Sequence, residues 1–391
     1  MMKDMGRIFM LAWAFPPIPG GESVVCERFI KYSQLNYDVC SGFAGDQKCD
    51  LNLPNARIYP VKGRYFLWSF RAARLFRKLD KFNHYKVMIS RVMPAAGHFA
   101  GLLVKILKPR IKWVVYFSDP IWNSPFISFK SLFINDRTHR PNYLLMKIFG
   151  IPARIAISLG DLLVFNNERL ARFILGKKYA KLKHKIVIAP YGHEGIKPEA
   201  YSETRKEYKR KFVLSHVGQI YGNRTFGVLI DALKILKVKH PELYDRLVIM
   251  QVGFVCDAEI ERIEKSSVSD RFHLMGMVDY YTSLQMMQQA DCLLVIDPVF
   301  DRPGCNIYVP AKIFDYMAAG KPILAIADKD SATADIVRSI EGILSAQVAN
   351  DLCGKLIDLI AGNPIKPDLK KYEIMHSSIH AAEVDKKLLT L

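Results

Sequence analysis

Four short stretches of this 391-residue chain combine residue types suited to binding a phosphorylated substrate. The most specific runs from Arg302 to Ala327, RPGCNIYVPAKIFDYMAAGKPILAIA. Pro310 suits the opening of a helix, where its missing N–H costs nothing. Lys312 then falls in the first helical turn, where a cation opposes the helix dipole unless an anion is bound beside it. Asp315 follows at i+3 on the same side, and a carboxylate facing a pocket can accept both hydroxyls of a ribose. Asn306, Tyr308 and Val309 lead into this helix and join the candidate set. A Lys–Asp surface pair is the plainer account. The second stretch, HVGQIYGNRTFGVLIDAL (216–233), passes from a strand through Gly222 and Arg224 into a helix. The planar fork of an arginine at such a junction suits a diphosphate, although a surface ion pair would also explain it. The third, PPIPGGES (16–23), follows the first strand. Gly20 and Gly21 let backbone approach a ligand at a helix N-terminus, or merely make a tight turn; GxGxxG is absent. In the fourth, YFSDPIWNSPF (116–126), Asp119 follows a strand and would, on the residues alone, cap the next turn.

These stretches need a scaffold of alternating strands and helices. Apolar runs that read as strands are RIFMLAWAF, YDVCSGF, KVMIS, KWVVYFS, DLLVFN and KIVIAPYG in the first half. In the second half they are FVLSHVG, LVIMQVG, RFHLMG, CLLVIDP and PILAIA. Helical periodicity lies between them, as at Thr225–Lys239 and Ala311–Ala319. Near-continuous apolar strands separated by amphipathic segments predict parallel sheets covered on both faces. The polar, charge-dense segment from Glu194 to Lys211, with Pro198, is where we place a domain boundary.

Composition narrows the function. Half the residues are hydrophobic and 24% charged, which fits a globular protein rather than a disordered or collagen-like one. Seven cysteines, odd in number and never spaced as CxxC, give neither a zinc ribbon nor a disulfide framework, so a reducing cytoplasm is expected. The net charge of +18 is lopsided: residues 1–200 hold 32 Lys+Arg against 13 Asp+Glu, and residues 201–391 hold 24 against 25. A basic half attracts anionic lipid, nucleic acid or phosphorylated substrates. No segment reaches the roughly 18 uninterrupted apolar residues of a membrane span, and the apolar run Ile8–Phe15 reads as a buried strand rather than a signal peptide. In RYFLWSFRAARLFRKLDKF (64–82), a helix places Tyr65, Trp68, Ala72, Leu75, Phe76 and Leu79 on one arc. Arg64, Arg71, Arg74, Arg77, Lys78 and Lys81 then share the other side with Phe66 and Phe70. Aromatics within a basic face suit a membrane surface; a buried amphipathic helix is the equal alternative.

PAKIFDYMAAGKPILA resembles the donor-binding signature of glycosyltransferase family 4, the retaining enzymes of GT-B fold that use nucleotide sugars. PPIPGGES, GQIYGNRT, RFHLMGMV and ADCLLVIDP fall in the order of that family, and the likeness is strongest from Ser215 to Gly342. The resemblance implies two Rossmann-like α/β domains facing across a cleft, with the last helix crossing back to the first. The boundaries would be 1–195 for an acceptor-binding domain, 196–368 for a nucleotide-sugar-binding domain and 369–391 for the returning helix. It makes Asp315 the ribose ligand, the second acid of a Glu–seven residues–Glu motif whose first acid falls at Ile307. The first phosphate arginine falls at Gln219, its lysine at or beside Arg224, and Met277 lies where backbone reads the base. Asp119 would stand at the acceptor as the catalytic-site polar group. No cofactor and no metal are implied, and the DxD at Asp328–Asp330 lies past the strand after the donor helix. The expected activity is retaining transfer of a sugar from a nucleoside diphosphate to a lipid-linked or glycan acceptor of surface-polysaccharide type, at the inner face of the cell membrane. A sugar-nucleotide epimerase of the same fold, and a basic nucleic-acid-binding protein without a recognised motif, are the alternatives.

Overall fold

A computed structural model describes residues 6–18, 20–43, 45, 51–92, 96–126, 139–196, 208, 210–300, 302, 304–362 and 366–391. Pro19 of the first glycine turn and Pro198 of the boundary segment lie outside the described residues. The chain divides into two compact units, residues 1–192 with 377–391, and residues 193–376.

The first unit opens with β1 (Arg7–Leu11), α1 (Gly21–Tyr32), β2 (Asn36–Gly42) and β3 (Ala56–Val61). It continues with α2 (Tyr65–Asn83), β4 (Val87–Arg91), α3 (Ala96–Leu107) and β5 (Lys112–Phe117). Then come α4 (His139–Leu159), β6 (Leu162–Phe165), α5 (Glu168–Leu175), α6 (Tyr179–Leu182) and β7 (Ile186–Ile188). The strands form one parallel sheet in the order β3-β2-β1-β4-β5-β6-β7, with Phe9 opposite both Asp38 and Met88. β1, β4, β5 and β6 are buried almost end to end, as their unbroken apolar sequences require of a sheet covered on both faces.

The second unit holds β8 (Phe212–Val217), α7 (Gly227–Lys239), α8 (Pro241–Arg246) and β9 (Leu247–Val252). α9 (Asp257–Glu264), β10 (Phe272–Gly276), α10 (Tyr280–Gln289) and β11 (Cys292–Ile296) follow. After these come α11 (Lys312–Ala318), β12 (Ile323–Ile326), α12 (Ala332–Ser339), β13 (Ile343–Ser345), α13 (Ala349–Ala361) and α14 (Leu369–Glu373). Its parallel sheet runs β10-β9-β8-β11-β12-β13. In both sheets the order reverses beside the first strand, at β1/β4 and at β8/β11. Chain connections leave those strand pairs in opposite directions, and the crevice this opens at their carboxyl ends is where open α/β sheets bind ligands.

Of the tail 369–391 expected to return, α15 (Ser377–Leu388) belongs to the first unit and packs on α1, while α14 stays with the second unit. It is pinned by Asp385, 4% exposed, which accepts from Ser33 Oγ at 2.8 Å and from the Gln34 N–H at 2.8 Å. The amphipathic reading of 64–82 needs one adjustment. Trp68, Ala72 and Phe76 are buried and Leu75 and Leu79 half-buried, but Tyr65 is exposed. Trp68 sets the rotation of α2, because its indole N–H donates to the Ser41 carbonyl at 3.0 Å.

Candidate functional site

The second unit gathers its polar groups at the β8/β11 crevice. β8 ends in Val217 and turns at Gly218 (φ 146°). A Cβ at Gly218 would lie 2.1 Å from Lys312 Nζ, and one at Gly253 would lie 2.6 Å from the Gly218 carbonyl oxygen. Backbone excludes a side chain at Gly253, and at Gly218 the positive φ favours glycine and a side chain would displace the lysine. Gly218 N–H donates to Val252 O and Gly253 N–H to Gly276 O, each at 2.7 Å, so the ends of β8, β9 and β10 form one continuous backbone rim. Tyr316, fully buried, anchors α11 to that rim. Its hydroxyl accepts from Val217 N–H at 2.8 Å and faces the carbonyls of Val217 and Leu294 at 3.2 Å. One turn earlier, Lys312 is thereby laid across Gly218.

The electrostatics of this crevice are unbalanced toward positive charge. Lys312 Nζ lies 2.9 Å from His216 Nε2. Burial first, and then the neighbouring Arg224, push the lysine down to about 7, against the pull of Asp297. Burial and the Lys312 charge hold His216 well below the ordinary histidine range. Burial pushes the Asp297 carboxyl up to about 7, opposed by the Thr333 hydroxyl, which donates to it at 2.6 Å, and by Arg224. Arg224 is half-buried, and its Nε is buried without a hydrogen-bond partner. A buried guanidinium nitrogen left unmatched is costly unless an anion completes it.

The other donor-side candidates spread along the same strand ends. Asp315 lies half-buried one turn beyond Lys312. Asn306 donates through Nδ2 to Asp328 at 3.2 Å, Tyr308 is half-buried with its carbonyl accepting from Thr333 at 3.3 Å, and Val309 is buried. Ile307 is 2% exposed and packed in the core, so no carboxylate reaches a sugar from that position. Gln219 is exposed. Gly222 sits at φ 61° in the loop before α7, with open space where a Cβ would stand. Met277 is 69% exposed just past β10, two strands from β8. The DxD carboxylate Asp328 is occupied by the Asp330 N–H at 2.8 Å and by Asn306. Among the described residues, no three His, Cys, Asp or Glu side chains converge as metal ligands.

In the first unit, Gly20 caps α1 at φ 134° without a side-chain cap, and Gly21 starts the helix, so the N–H groups of the first turn have no side-chain acceptor from the cap. Asp119 follows β5 at the same carboxyl edge. It is half-buried. Burial and the charge of Glu22 push it up to about 7. Glu22, in the first turn of α1, accepts from Arg91 Nε at 2.8 Å. Arg91 is 1% exposed and lies over the Tyr116 ring at 4.0 Å.

Sequence reasoning missed His216, Gln251, Gly253 and Asp297 in the second unit, and Glu22 and Arg91 in the first. His216, Asp297 and Arg91 each stand at or next to the last residue of a buried strand. A polar residue closing an apolar run is the signal that would have found them.

No protein-family model matches the chain, and no curated protein matches it in sequence. Solved structures do match over nearly its whole length. The Anabaena protein HepE, in complex with UDP and glucose, is 14% identical at a TM-score of 0.62, covering 98% of this chain and 95% of that one. The lipopolysaccharide outer core galactosyltransferase WaaB is 12% identical at 0.65, covering 98% and 99%. An α,α-trehalose-phosphate synthase (UDP-forming) from Burkholderia xenovorans is 9% identical at 0.66, covering 99% and 100%. Two parallel sheets of seven and six strands with this coverage give the chain the GT-B fold of those glycosyltransferases.

Proposed function

We propose that the chain is a glycosyltransferase that binds a nucleoside diphosphate sugar in its second unit and delivers the sugar to an acceptor taken by its first. The observation that carries this reading is Lys312 laid over Gly218 with the charge of Arg224 close enough to depress it, and the Arg224 Nε buried and unmatched. An anion there would satisfy both cations. Adjacent strands lie about 4.8 Å apart, so the end of β10 is about 10 Å from β8. That separation suits a diphosphate over Gly218 with its base near Met277, and Asp315, on the same helix as Lys312, is the proposed ribose acceptor. In the reaction, the bond from the sugar's anomeric carbon to the diphosphate breaks while an acceptor oxygen bonds that carbon and loses its proton. Lys312 and Arg224 stabilise the charge developing on the departing diphosphate. These cations do the neutralising, so the reading needs no metal. Asp119, partly protonated near neutrality, is the candidate polar group beside the acceptor. Retention of configuration follows the family-4 resemblance.

The HepE complex holds UDP and the Burkholderia synthase is UDP-forming, so UDP sugars come first in the test. A panel of UDP and GDP sugars, read by thermal stabilisation and by slow hydrolysis, should single out one donor. Silence across the panel would overturn the assignment. A sugar-nucleotide epimerase is the second reading, because His216 and Asp297 are titratable groups beside the cations. Both are already engaged, by Lys312 and Thr333 respectively, which favours transfer. Release of nucleoside diphosphate that depends on added acceptor discriminates the two.

The acceptor we propose is lipid-linked or otherwise anionic glycan, as in surface-polysaccharide synthesis, met at an anionic membrane surface rather than on nucleic acid. The support is the outward side of α2, where Phe66, Leu67 and Phe70 are exposed among Arg71, Arg74, Arg77 and Lys78. α3 and α4 pack successively beside α2 and add exposed Ile106, Ile151 and Ile155. Apolar side chains within a cationic field are what an anionic bilayer recognises. Among the described residues no helix is long and apolar enough to cross one.

A further inference from the structure

Beneath Lys312 lies a buried polar chain that the donor-site reading does not need. His216 and Gln251 are both fully buried at the ends of neighbouring strands β8 and β9. The directions of the hydrogen bonds are fixed by chemistry. Gln251 Nε2 donates to the Gly218 carbonyl at 2.8 Å, which turns its Oε1 toward His216 Nδ1 at 2.6 Å. A carboxamide oxygen only accepts, so Nδ1 must carry the ring proton. His216 Nε2 is therefore a bare acceptor, and the Lys312 ammonium donates to it at 2.9 Å. The order Lys312 → His216 → Gln251 → Gly218 matches both ring nitrogens of His216 and both polar atoms of Gln251. A buried network that is fully satisfied selects one arrangement, whereas an apolar strand end would stabilise the sheet more simply.

We propose that His216 is a positioning residue: with Gln251 it forms a one-way relay that fixes the Lys312 ammonium over Gly218 and leaves its other two protons for the donor diphosphate. This rests on the donor-site reading above. The charged and titratable groups facing Lys312 are Arg224 from the β8–α7 loop, Asp297 at the end of β11 and His216 itself. Of these only His216 restrains the amine by a hydrogen bond. Without that acceptor the ammonium is free to swing toward Asp297, away from the phosphate position, and its charged form loses a stabilising contact.

The test uses the full-length chain and calorimetric titration with UDP and with GDP. His216→Leu should weaken the better nucleotide about 10- to 150-fold, the value of one hydrogen bond to a charged group. His216→Gln, which keeps an acceptor within reach of Lys312, should recover most of that loss. In a Lys312→Ala background, His216→Leu should add less than about 2-fold, because a residue acting through Lys312 has nothing left to position. A role confined to holding β8 against β9 would instead give multiplying losses in the double variant and no rescue by Gln, and that result overturns the proposal. So does parental affinity in a folded His216→Leu. If the Leu variant does not fold, Gln251→Leu carries the test: it frees the ring to change tautomer and should cost several-fold, and unchanged affinity would refute the relay. Lys312→Ala with undiminished affinity for both nucleotides would remove the donor site itself, a failure distinct from that of the relay.

Discussion

Lys312 and Asp315 sit three residues apart on α11 but do different work, and the local fold explains why. Both are half-buried, but Lys312 reaches over Gly218, which sits at a positive φ that favours glycine, whereas Asp315 lies one turn further along the helix. Asp315→Ala should leave the fold intact and weaken the donor about 10- to 150-fold, the equivalent of roughly 1.5–3 kcal/mol for a hydrogen bond to a charged acceptor. Calorimetry with the donor found in the panel decides it; unchanged affinity excludes Asp315 from the site. Arg224 makes a sharper case. Its Nε is buried without a partner, so the geometry asks for the guanidinium fork and not only for a charge. Arg224→Ala should lower kcat/KM severely, and Arg224→Lys should restore only part of it, because an ammonium is a point charge. A lysine variant with full activity would show that the fork has no special role, and an alanine variant with full activity would remove Arg224 from the site. Of the site, the signature residues were legible because spacing on a helix is a sequence property. The residues that orient them were not: His216 meets Lys312 across 96 positions of chain, and only the β8–β9–α11 packing brings them together.

At the scale of elements, apolar runs located the central strands and failed at two edges. β3 and β13, absent from the sequence reading, are the outermost strands on one side of each sheet. β3 is only half-buried and carries Arg57 and Pro60, and an edge strand tolerates a proline because one side of its ladder is open. β13 has three residues, too few to display any period. Helix α2 was legible as amphipathic, since both its buried arc and its cationic side follow from a 3.6-residue repeat. Burial alone does not require the other feature, large apolar residues on its solvent side, Phe66, Leu67 and Phe70 among them. If α2 docks on anionic lipid, binding to phosphatidylglycerol-containing vesicles should fall steeply with salt, because charges farther apart than about 8–10 Å are screened at physiological ionic strength. Each basic residue near such a surface is worth about 1 kcal/mol, so replacing Arg71, Arg74 and Lys78 by glutamine together should release the chain. Phe70→Ser should weaken binding without changing its salt slope, because it removes apolar area and no charge. Donor hydrolysis should persist in both variants, whose changes lie in the first unit. Vesicle binding that matches the parent in the triple variant would assign the positive charge to another purpose.

For the molecule as a whole, the shifted groups act together through proton binding. Asp119 in the first unit and Asp297 in the second are both pushed up from 3.8 to about 7, and Lys312 is pushed down from 10.5 to about 7. Between about pH 4 and 7 the folded chain therefore holds protons at the two aspartates that the unfolded chain has released, so their contribution to stability falls as pH rises. Between about 7 and 10.5 the unfolded chain is the one that holds the extra proton, at Lys312, and stability from that group rises with pH. Against the parent, Asp297→Asn should remove a contribution to Tm that falls between about pH 4 and 7, and Lys312→Ala one that rises between about 7 and 10.5. Buried His216, held low, contributes on the acid side with the sign opposite to the aspartates. A bound diphosphate changes the balance, since its negative charge favours the ammonium form of Lys312. At pH 8, where much of the free protein carries a neutral Lys312, binding UDP or GDP should draw protons from solution. At pH 6 the lysine is already charged, and uptake should be far smaller. Titrations in phosphate and in Tris, whose heats of ionisation differ widely, measure the proton count directly. The uptake at pH 8 should disappear for the most part in Lys312→Ala and persist in Asp315→Ala, whose loss of affinity has a different origin. Binding at pH 8 with identical heats in the two buffers would mean that Lys312 does not change charge when the nucleotide arrives, and that the free protein already carries it as an ammonium at that pH.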